Sequence, residues 1–247
     1  MAGPLTAELR ARAVITPGIA ELAFAMRTPE RLTFRAGQFV SMALPSSPAE
    51  TAGAIPRRSY SIASQSDAGE VLRFIIRVIP EGKASDYLMS LPIGATVNMT
   101  GPHGFFVLDE AHTGDIVFAA TGTGIAAVMP MLGELARRSE RPGASGGRKI
   151  LVFWGLRYQA DIFSLDEIRA LATAAKAELA VHLTAPEPDW AGSQGRITPA
   201  VLDRLPALRS PTFYLVGNGA MITELKRELI SRGVNRKTQI RTEAFFD

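Results

Sequence analysis

Short segments of alternating or apolar residues fill the first part of the chain, and proline and glycine separate them. Their spacing is typical of a closed antiparallel barrel. Residues 83–91 instead have a helical pattern, with Ser85 at or near the N-cap. The strands predicted here are 11–16, 20–26, 38–44, 58–64, 71–79 and 95–101.

The pattern changes near residues 109–114. Residues 115–121 form a near-continuous apolar run, as expected of a strand buried on both faces. Strand and helix patterns then alternate, which predicts a doubly wound parallel α/β domain in residues 111–247, after an antiparallel β-barrel in residues 1–110. The further predicted strands are 148–156, 180–185, 212–218 and 239–246, and the predicted helices are 122–138, 165–179, 198–205 and 220–233.

The composition supports two folded domains and excludes several kinds of site. Hydrophobic residues make up 47% of the 247 residues, which is enough for substantial cores. Cysteine is absent from the sequence, so disulfides and cysteine-ligated zinc or iron–sulfur clusters are excluded. The three histidines are scattered, and we expect no metal site.

The net charge of +3 at pH 7 makes the chain weakly basic. Such a surface favours acidic partners such as small electron carriers, and it lacks the concentrated basic stripe of a nucleic-acid binder. The sequence has no apolar leader segment and no apolar run of about 18 residues. We therefore expect a cytoplasmic protein without a membrane span.

Two glycine turns each follow a predicted buried strand and precede a predicted helix. The first, T-G-T-G at 121–124, lacks the third glycine of G-x-G-x-x-G, where Ala127 stands. A plain tight turn would explain this segment equally well. The second turn, at Gly217 and Asn218, favours a ligand, because both turns would lie at the carboxyl edge of a parallel sheet. We interpret the pair as a nucleotide site.

The sequence R-R-S-Y-S in the barrel part combines three kinds of binding group. Arg58 and Tyr60 share one face of the strand, because strand side chains alternate. Arginine offers a fork for phosphate, tyrosine a flat ring for stacking, and Ser61 a small donor or acceptor. The turn at 81–85 supplies a second anion site at a helix start. The alternative is a solvated barrel strand with a half-buried tyrosine. For Arg57 we expect ordinary solvation, and a surface contact for an acidic carrier is the alternative.

In their order along the chain, these segments resemble the ferredoxin–NADP(+) reductase superfamily of flavoenzymes. The motif R-x-Y-S is specific for this superfamily only together with the other matching segments. The resemblance covers nearly the whole chain and implies a FAD-binding barrel followed by an NAD(P)-binding α/β domain. The matching segments are R-A-G-Q-F-V at 35–40, R-S-Y-S at 58–61, G-K-A-S at 82–85, G-P-H-G-F-F at 101–106, T-G-T-G-I-A-A at 121–127, F-W-G-L-R-Y-Q-A-D-I at 153–162, Y-L-V-G-N-G-A-M at 214–221 and T-E-A-F-F at 242–246.

The resemblance implies roles for individual residues at the flavin. Arg58 would hold the FAD pyrophosphate, Tyr60 would stack on the isoalloxazine, and Ser61 would lie near flavin N5. Thr121 would reach the flavin from the second domain. The other residues implied at the FAD are Ser59, Ile75, Ile76, Arg77, Gly82, Lys83, Ala84 and Ser85.

The resemblance also implies a nucleotide site and a C-terminal contribution. Glu243 would supply a carboxylate, and Ser61 and Glu243 are the predicted catalytic residues. Val216 occupies the position of a cysteine in many relatives, so hydride transfer would be less assisted or the pocket would be shaped differently. The residues implied at the nucleotide or beside the isoalloxazine are Gly122, Thr123, Gly124, Arg157, Gly217, Asn218, Phe245 and Phe246.

The function implied is a FAD-dependent NAD(P)H oxidoreductase. It would exchange electrons between a nicotinamide nucleotide and a one-electron carrier, by hydride transfer at flavin N5. The carrier would be an acidic ferredoxin or flavodoxin, or an oxygenase component. Two alternatives stay open: a reductase of free flavins or other small acceptors, and a non-catalytic flavin-binding electron-transfer subunit.

The choice between NADH and NADPH depends on cations near the 2′-phosphate. NADPH-using relatives have an arginine where this chain has Ala185, after Thr184, and residues 185–192 are similar to NADH-dependent oxygenase reductases. Arg157 and Arg196 could still bind a phosphate. NADH is slightly favoured.

Overall fold

The structure, a computed structural model, describes residues 4–45, 56–139 and 147–245. The chain divides into two compact units, Met1–Val107 and Leu108–Asp247. The boundary predicted from the sequence follows residue 110.

The first unit is a six-stranded antiparallel sheet with the order β4-β3-β6-β1-β2-β5. The backbone N–H of Ala63, just after β4, donates to the carbonyl of Arg73 in β5 at 2.8 Å, which brings the two edge strands together as a barrel. The elements are β1 (Leu5–Thr16), β2 (Ile19–Thr28), β3 (Phe39–Ala43), β4 (Arg57–Ser61), β5 (Val71–Arg77), α1 (Lys83–Ser90) and β6 (Thr96–His103).

The barrel core follows from the two-residue period of its strands. Leu22 and Phe24 in β2 and Leu72 and Phe74 in β5 are fully buried and point inward together. The rings of Phe24 and Phe74 meet edge to face at 6.0 Å. Strand β4, whose sequence is polar, lies at the edge of this sheet and covers the core with the ring of Tyr60.

The second unit is a six-stranded parallel sheet with the order β10-β9-β8-β7-β11-β12. The chain runs outward from β7 to β10 and then returns to the other side of β7, so the strand order reverses between β7 and β11. Ligands of such sheets bind at this reversal, beyond the carboxyl ends of the strands. The elements are β7 (Ile116–Thr121), α2 (Ile125–Ser139), β8 (Ile150–Leu156), α3 (Leu165–Ala174), β9 (Glu178–Leu183), β10 (Ser193–Gln194), α4 (Ile197–Arg204), β11 (Thr212–Asn218), α5 (Gly219–Ser231) and β12 (Ile240–Phe245).

Two predicted helices differ from the structure in their bounds. Helix α1 has Gly82 as its N-cap, and Ser85, which was predicted at or near the N-cap, lies buried in the first turn. Helix α3 ends at Ala174 instead of residue 179, because Lys176 takes a left-handed conformation with φ of 54°. The strand β9 then begins at Glu178.

Within the described residues, no helix is both long and apolar enough to span a membrane.

Candidate functional site

Arg58 and Tyr60 lie on one face of β4, as their spacing predicts. The Arg58 side chain is exposed, and one of its nitrogens donates to the carbonyl of Arg57 at 2.9 Å. The Tyr60 ring is half-buried against the barrel core. Burial raises the pKa of Tyr60 to about 12, and the charge of Arg58 opposes this shift. The pair therefore presents a guanidinium beside a neutral aromatic surface.

Arg57 points the other way and is not solvated as expected. Its guanidinium donates to the carbonyl of Ser41 at 2.5 Å, to Ser41 Oγ at 3.3 Å and to Thr100 Oγ1 at 3.2 Å. Ser41 belongs to β3 and Thr100 to β6, so one side chain ties three neighbouring strands together. The first arginine of R-R-S-Y-S thus supports the strand that presents the second.

Helix α1 is fixed at both ends, and no side chain caps its N-terminus. The hydroxyl of Ser85 accepts the N–H of Ile79 at 2.9 Å, and a Cβ on Gly82 would approach the carbonyl oxygen of Ile79 to 2.9 Å. At the other end, Arg12 donates to the carbonyl of Leu91 at 2.7 Å. A helix start held in this way is suited to a phosphate group. Lys83 and Ala84 form its first turn.

Ile75, Ile76 and Arg77 were predicted together at the flavin, but their positions in β5 differ. Arg73 uses its N–H and carbonyl on the side of β4, with Ser64 Oγ and Ala63 N as partners. By the two-residue period, the backbone groups of Ile75 and Arg77 face the same edge. Ile76 instead lies in the barrel core. Ser59 is exposed and Ser61 is buried on β4.

The first glycine turn lies at the carboxyl end of β7, as predicted. Gly122 has φ of +54°, and a Cβ placed there would meet no atom within 4 Å, so the turn opens outward through Gly122 and Thr123. The buried indole of Trp154, in the neighbouring strand β8, donates its N–H to the Gly122 carbonyl at 2.9 Å. Gly124 packs against the backbone of Val216 in β11. No sequence motif signals the hydrogen bond of Trp154.

The second glycine turn is bonded to the first. The N–H of Asn218 donates to Thr121 Oγ1 at 2.8 Å, and a Cβ on Gly217 would overlap the same hydroxyl. Asn218 Oδ1 in turn accepts the N–H of Met221 at 3.0 Å and caps α5. The two turns and the starts of two helices therefore form one rigid edge at the point where the strand order reverses.

The C-terminal strand β12 runs beside this edge. Glu243 pairs in register with Val216, and Phe245 pairs with Asn218. Val216 is fully buried, so its side chain belongs to the packed interior of the unit. Phe246 lies outside the described residues. The roles predicted for Glu243 and Phe245 stay predictions.

Two arginines lie farther along the same carboxyl edge. Arg157 follows β8, and its guanidinium lies over the ring of Tyr158 at 5.0 Å from the centroid. Arg196 precedes α4 and forms an ion pair with Glu224 of α5. The hydroxyl of Thr184, after β9, donates to the Leu156 carbonyl at 3.4 Å.

These donor groups fit two dinucleotides. In the first unit, an exposed guanidinium, an aromatic face and a helix start without a side-chain cap match a flavin with its pyrophosphate. In the second unit, the open turn at Gly122 leaves the space that a Cβ would otherwise occupy. The fold and the site define a protein with one barrel unit suited to a flavin nucleotide and one α/β unit suited to a pyridine nucleotide.

Comparisons with known proteins agree with this class. Residues 6–108 match the family model of the oxidoreductase FAD-binding domain, and residues 118–227 match that of the oxidoreductase NAD-binding domain. Ferredoxin--NADP reductase B of Sorangium cellulosum is 32% identical over 245 residues, which cover 96% of both chains. The chain belongs to the ferredoxin–NADP(+) reductase superfamily and is a flavoenzyme that binds FAD and NAD(P).

Other relatives are longer than this chain. The reductase subunit of an aromatic O-demethylase from an Amycolatopsis species is 34% identical over 198 residues, and the match covers 78% of this chain and 55% of that protein. A solved structure, the cytochrome P450 reductase of Amycolatopsis, superposes with a TM-score of 0.83 at 28% identity, over 98% of this chain and 70% of that one.

Proposed function

We propose that the protein exchanges electrons between NAD(P)H and a separate one-electron carrier. The observation that carries the proposal is the presence of both donor sets in one chain: the Arg58–Tyr60 pair with the start of α1, and the bonded glycine turns of the second unit. The similarity to a ferredoxin--NADP reductase over nearly the full length of both proteins supports the same function.

Bound FAD would supply the capacity to accept a hydride and to release its electrons one at a time. The chain would bind and orient it. The charge of Arg58 would neutralise the pyrophosphate together with the N–H groups at the start of α1. Tyr60 is neutral at physiological pH, and burial raises its pKa further, to about 12, so its ring would place no negative charge beside the cofactor. Ser61 is proposed to hydrogen-bond near N5.

The second unit would hold the nicotinamide nucleotide. The open turn of Gly122, Thr123 and Gly124 would take the pyrophosphate, and Gly217 and Asn218 would line the same edge. Glu243 is proposed to bind the nicotinamide end of the nucleotide or to relay a proton.

The proposed partner is an acidic ferredoxin or flavodoxin, or an oxygenase component. Several similar proteins are named as reductase or electron transfer components of monooxygenases or dioxygenases, and the weakly basic chain suits an acidic carrier. Because the sequence has no cysteine, an iron–sulfur cluster would have to be held outside these 247 residues. A cytoplasmic location is part of the proposal.

The first experiment is the visible spectrum of the purified protein, before and after anaerobic addition of NADH or NADPH. We expect a flavin spectrum that bleaches with either nucleotide, more readily with NADH. A colourless protein that takes up no FAD would contradict the proposal.

The second experiment compares electron acceptors. Reduction of a small ferredoxin is expected to be much faster than reduction of free flavin. The reverse order would favour a reductase of small acceptors, and failure to reduce even ferricyanide would favour a non-catalytic flavin subunit.

A further inference from the structure

We propose that Glu224 is a specificity-determining residue, which disfavours NADPH by holding Arg196 in an ion pair. The inference rests on the proposed function, since it concerns the nucleotide that the second unit binds. It adds to that function a residue that selects between two substrates that differ by one phosphate group.

Arg196 lies at the carboxyl edge of the sheet. The short strand β10 pairs with the end of β9, and the N–H of Gly195 donates to the Leu183 carbonyl at 2.8 Å. Arg196 follows as the N-cap residue of α4. The next residue, Ile197, packs near Gly155 at the end of β8, because a Cβ on that glycine would lie 3.1 Å from Ile197 Cγ2. Arg196 is therefore on the same edge as the glycine turns.

Glu224 reaches this place from another element. Helix α5 begins at Gly219, directly after the second glycine turn, and Glu224 lies in its second turn. Helices α4 and α5 share one hydrophobic core, to which Val201 and Leu225 contribute. The packing of the two helices thus sets the carboxylate of Glu224 against the guanidinium of Arg196.

The charge near Arg196 is unfavourable for a phosphate. The Arg196 side chain is 57% exposed and that of Glu224 is 31% exposed, so the pair is open to an incoming ligand. A 2′-phosphate carries a charge of about −1.5 to −2 and would have to displace the carboxylate or lie beside it. Glu187 and Asp189 are exposed in the loop before β10 and add further negative charge to that of Glu224. The 2′-hydroxyl of NADH needs no cation.

The other arginine of this edge makes the discrimination partial. Arg157 lies over Tyr158 and forms no ion pair with a described residue. It can still contact a phosphate, so we expect measurable binding of NADPH. Glu224 is then expected to change the ratio of the affinities for NADPH and NADH, without abolishing NADPH binding.

The test measures dissociation constants of NADP+ and NAD+, and of 2′,5′-ADP and 5′-AMP, by calorimetry on the FAD-loaded protein. In Glu224→Gln, the preference for the 2′-phosphate is expected to rise about tenfold, the size of one charge-assisted hydrogen bond. The matched control is Glu228→Gln, because Glu228 lies on the same helix and pairs with Arg232 and Arg227 instead. It removes the same charge and should leave the ratio unchanged.

Removing the arginine gives an independent test. In the combined Arg196→Gln/Glu224→Gln variant, the NADP+ to NAD+ ratio should lie within about twofold of the wild type, because this pair of positions has no net charge in either protein. The gain of Glu224→Gln should disappear when the two substitutions are combined.

Three results would overturn the inference. These are an unchanged ratio in Glu224→Gln, a shift of that ratio toward NAD+, and a tenfold loss of NADP+ binding in the combined variant, which would mean that the ion pair positions Arg196 for the phosphate. Failure of the wild-type protein to bind any of the four probes would instead contradict the proposed function. The FAD content and melting temperature of each variant establish that it is folded.

Discussion

The indole N–H of Trp154 donates to the carbonyl of Gly122 from within the sheet, at 2.9 Å. Trp154 is fully buried, and its ring meets Phe163 edge to face at 5.1 Å. The hydrogen bond holds the Gly122 carbonyl toward the buried indole and therefore fixes the orientation of the first glycine turn. The turn is thus fixed by a residue of the neighbouring strand before any ligand binds.

Replacing Trp154 by phenylalanine should loosen this turn. The Gly122 carbonyl would lose its buried donor, and we expect the affinity for NAD+ to fall about three- to tenfold. Calorimetry on the FAD-loaded protein measures the change. The control is Trp190→Phe, because the indole N–H of Trp190, in the loop before β10, donates to the carbonyl of Ser193 instead of to a glycine turn. Equal NAD+ affinity in the Trp154 variant and the wild type would contradict the role of the indole.

Gly217 should not tolerate alanine. Its φ of +112° is strained for any side chain, and the added Cβ would overlap Thr121 Oγ1. We expect Gly217→Ala to lower the free energy of unfolding by about 2–4 kcal/mol. Chemical denaturation monitored by circular dichroism provides the measurement.

Gly219 is the matched control for that substitution. It is the first residue of α5, and a Cβ there would meet nothing within 4 Å. Gly219→Ala should change the free energy of unfolding by less than about 1 kcal/mol. If both alanine variants were equally stable, the close contact between the two turns would be refuted.

The two arginines of R-R-S-Y-S should separate stability from cofactor binding. Arg57→Ala removes hydrogen bonds to Ser41 and Thr100 and should destabilise the FAD-free protein by about 1–3 kcal/mol. Arg58→Ala should leave that stability nearly unchanged and weaken FAD binding at least tenfold. Thermal unfolding without FAD and a fluorescence titration with FAD measure the two effects. The opposite pattern would show that the roles are reversed.

The burial of Tyr60 predicts a pH dependence of stability in alkaline solution. Its pKa rises from 10.0 to about 12 on folding, so above pH 10 the unfolded state loses the proton that the folded state keeps. The contribution of Tyr60 is therefore fully present below pH 10 and is lost as the pH rises through 12.

Tyr60→Phe should lack this loss in the FAD-free protein. The fall in unfolding free energy between pH 10 and pH 12 should be smaller than in the wild type. The difference in tyrosinate absorbance between the two proteins isolates the titration of Tyr60. A midpoint near pH 10 in that difference would disagree with the half-buried ring.

Local patterns determined much of the architecture. Alternation of apolar and polar residues in the first unit and buried runs in the second predicted the two sheets, because strand period and burial are properties of neighbouring residues. The glycine turns and R-x-Y-S predicted the candidate sites for the same reason. Strand β10 has two residues, too few for a pattern, and was not predicted.

Only the tertiary structure decided how these segments are held. Thr121 and Asn218 are 97 residues apart in the sequence, and Trp154 and Gly122 are 32 apart. Such hydrogen bonds depend on strand order and register, which no local pattern encodes. The same holds for the ion pair of Arg196 with Glu224, which the packing of two helices brings together. The sequence by itself predicted which residues would bind a dinucleotide, and the fold decided which of them are supported or neutralised by distant partners.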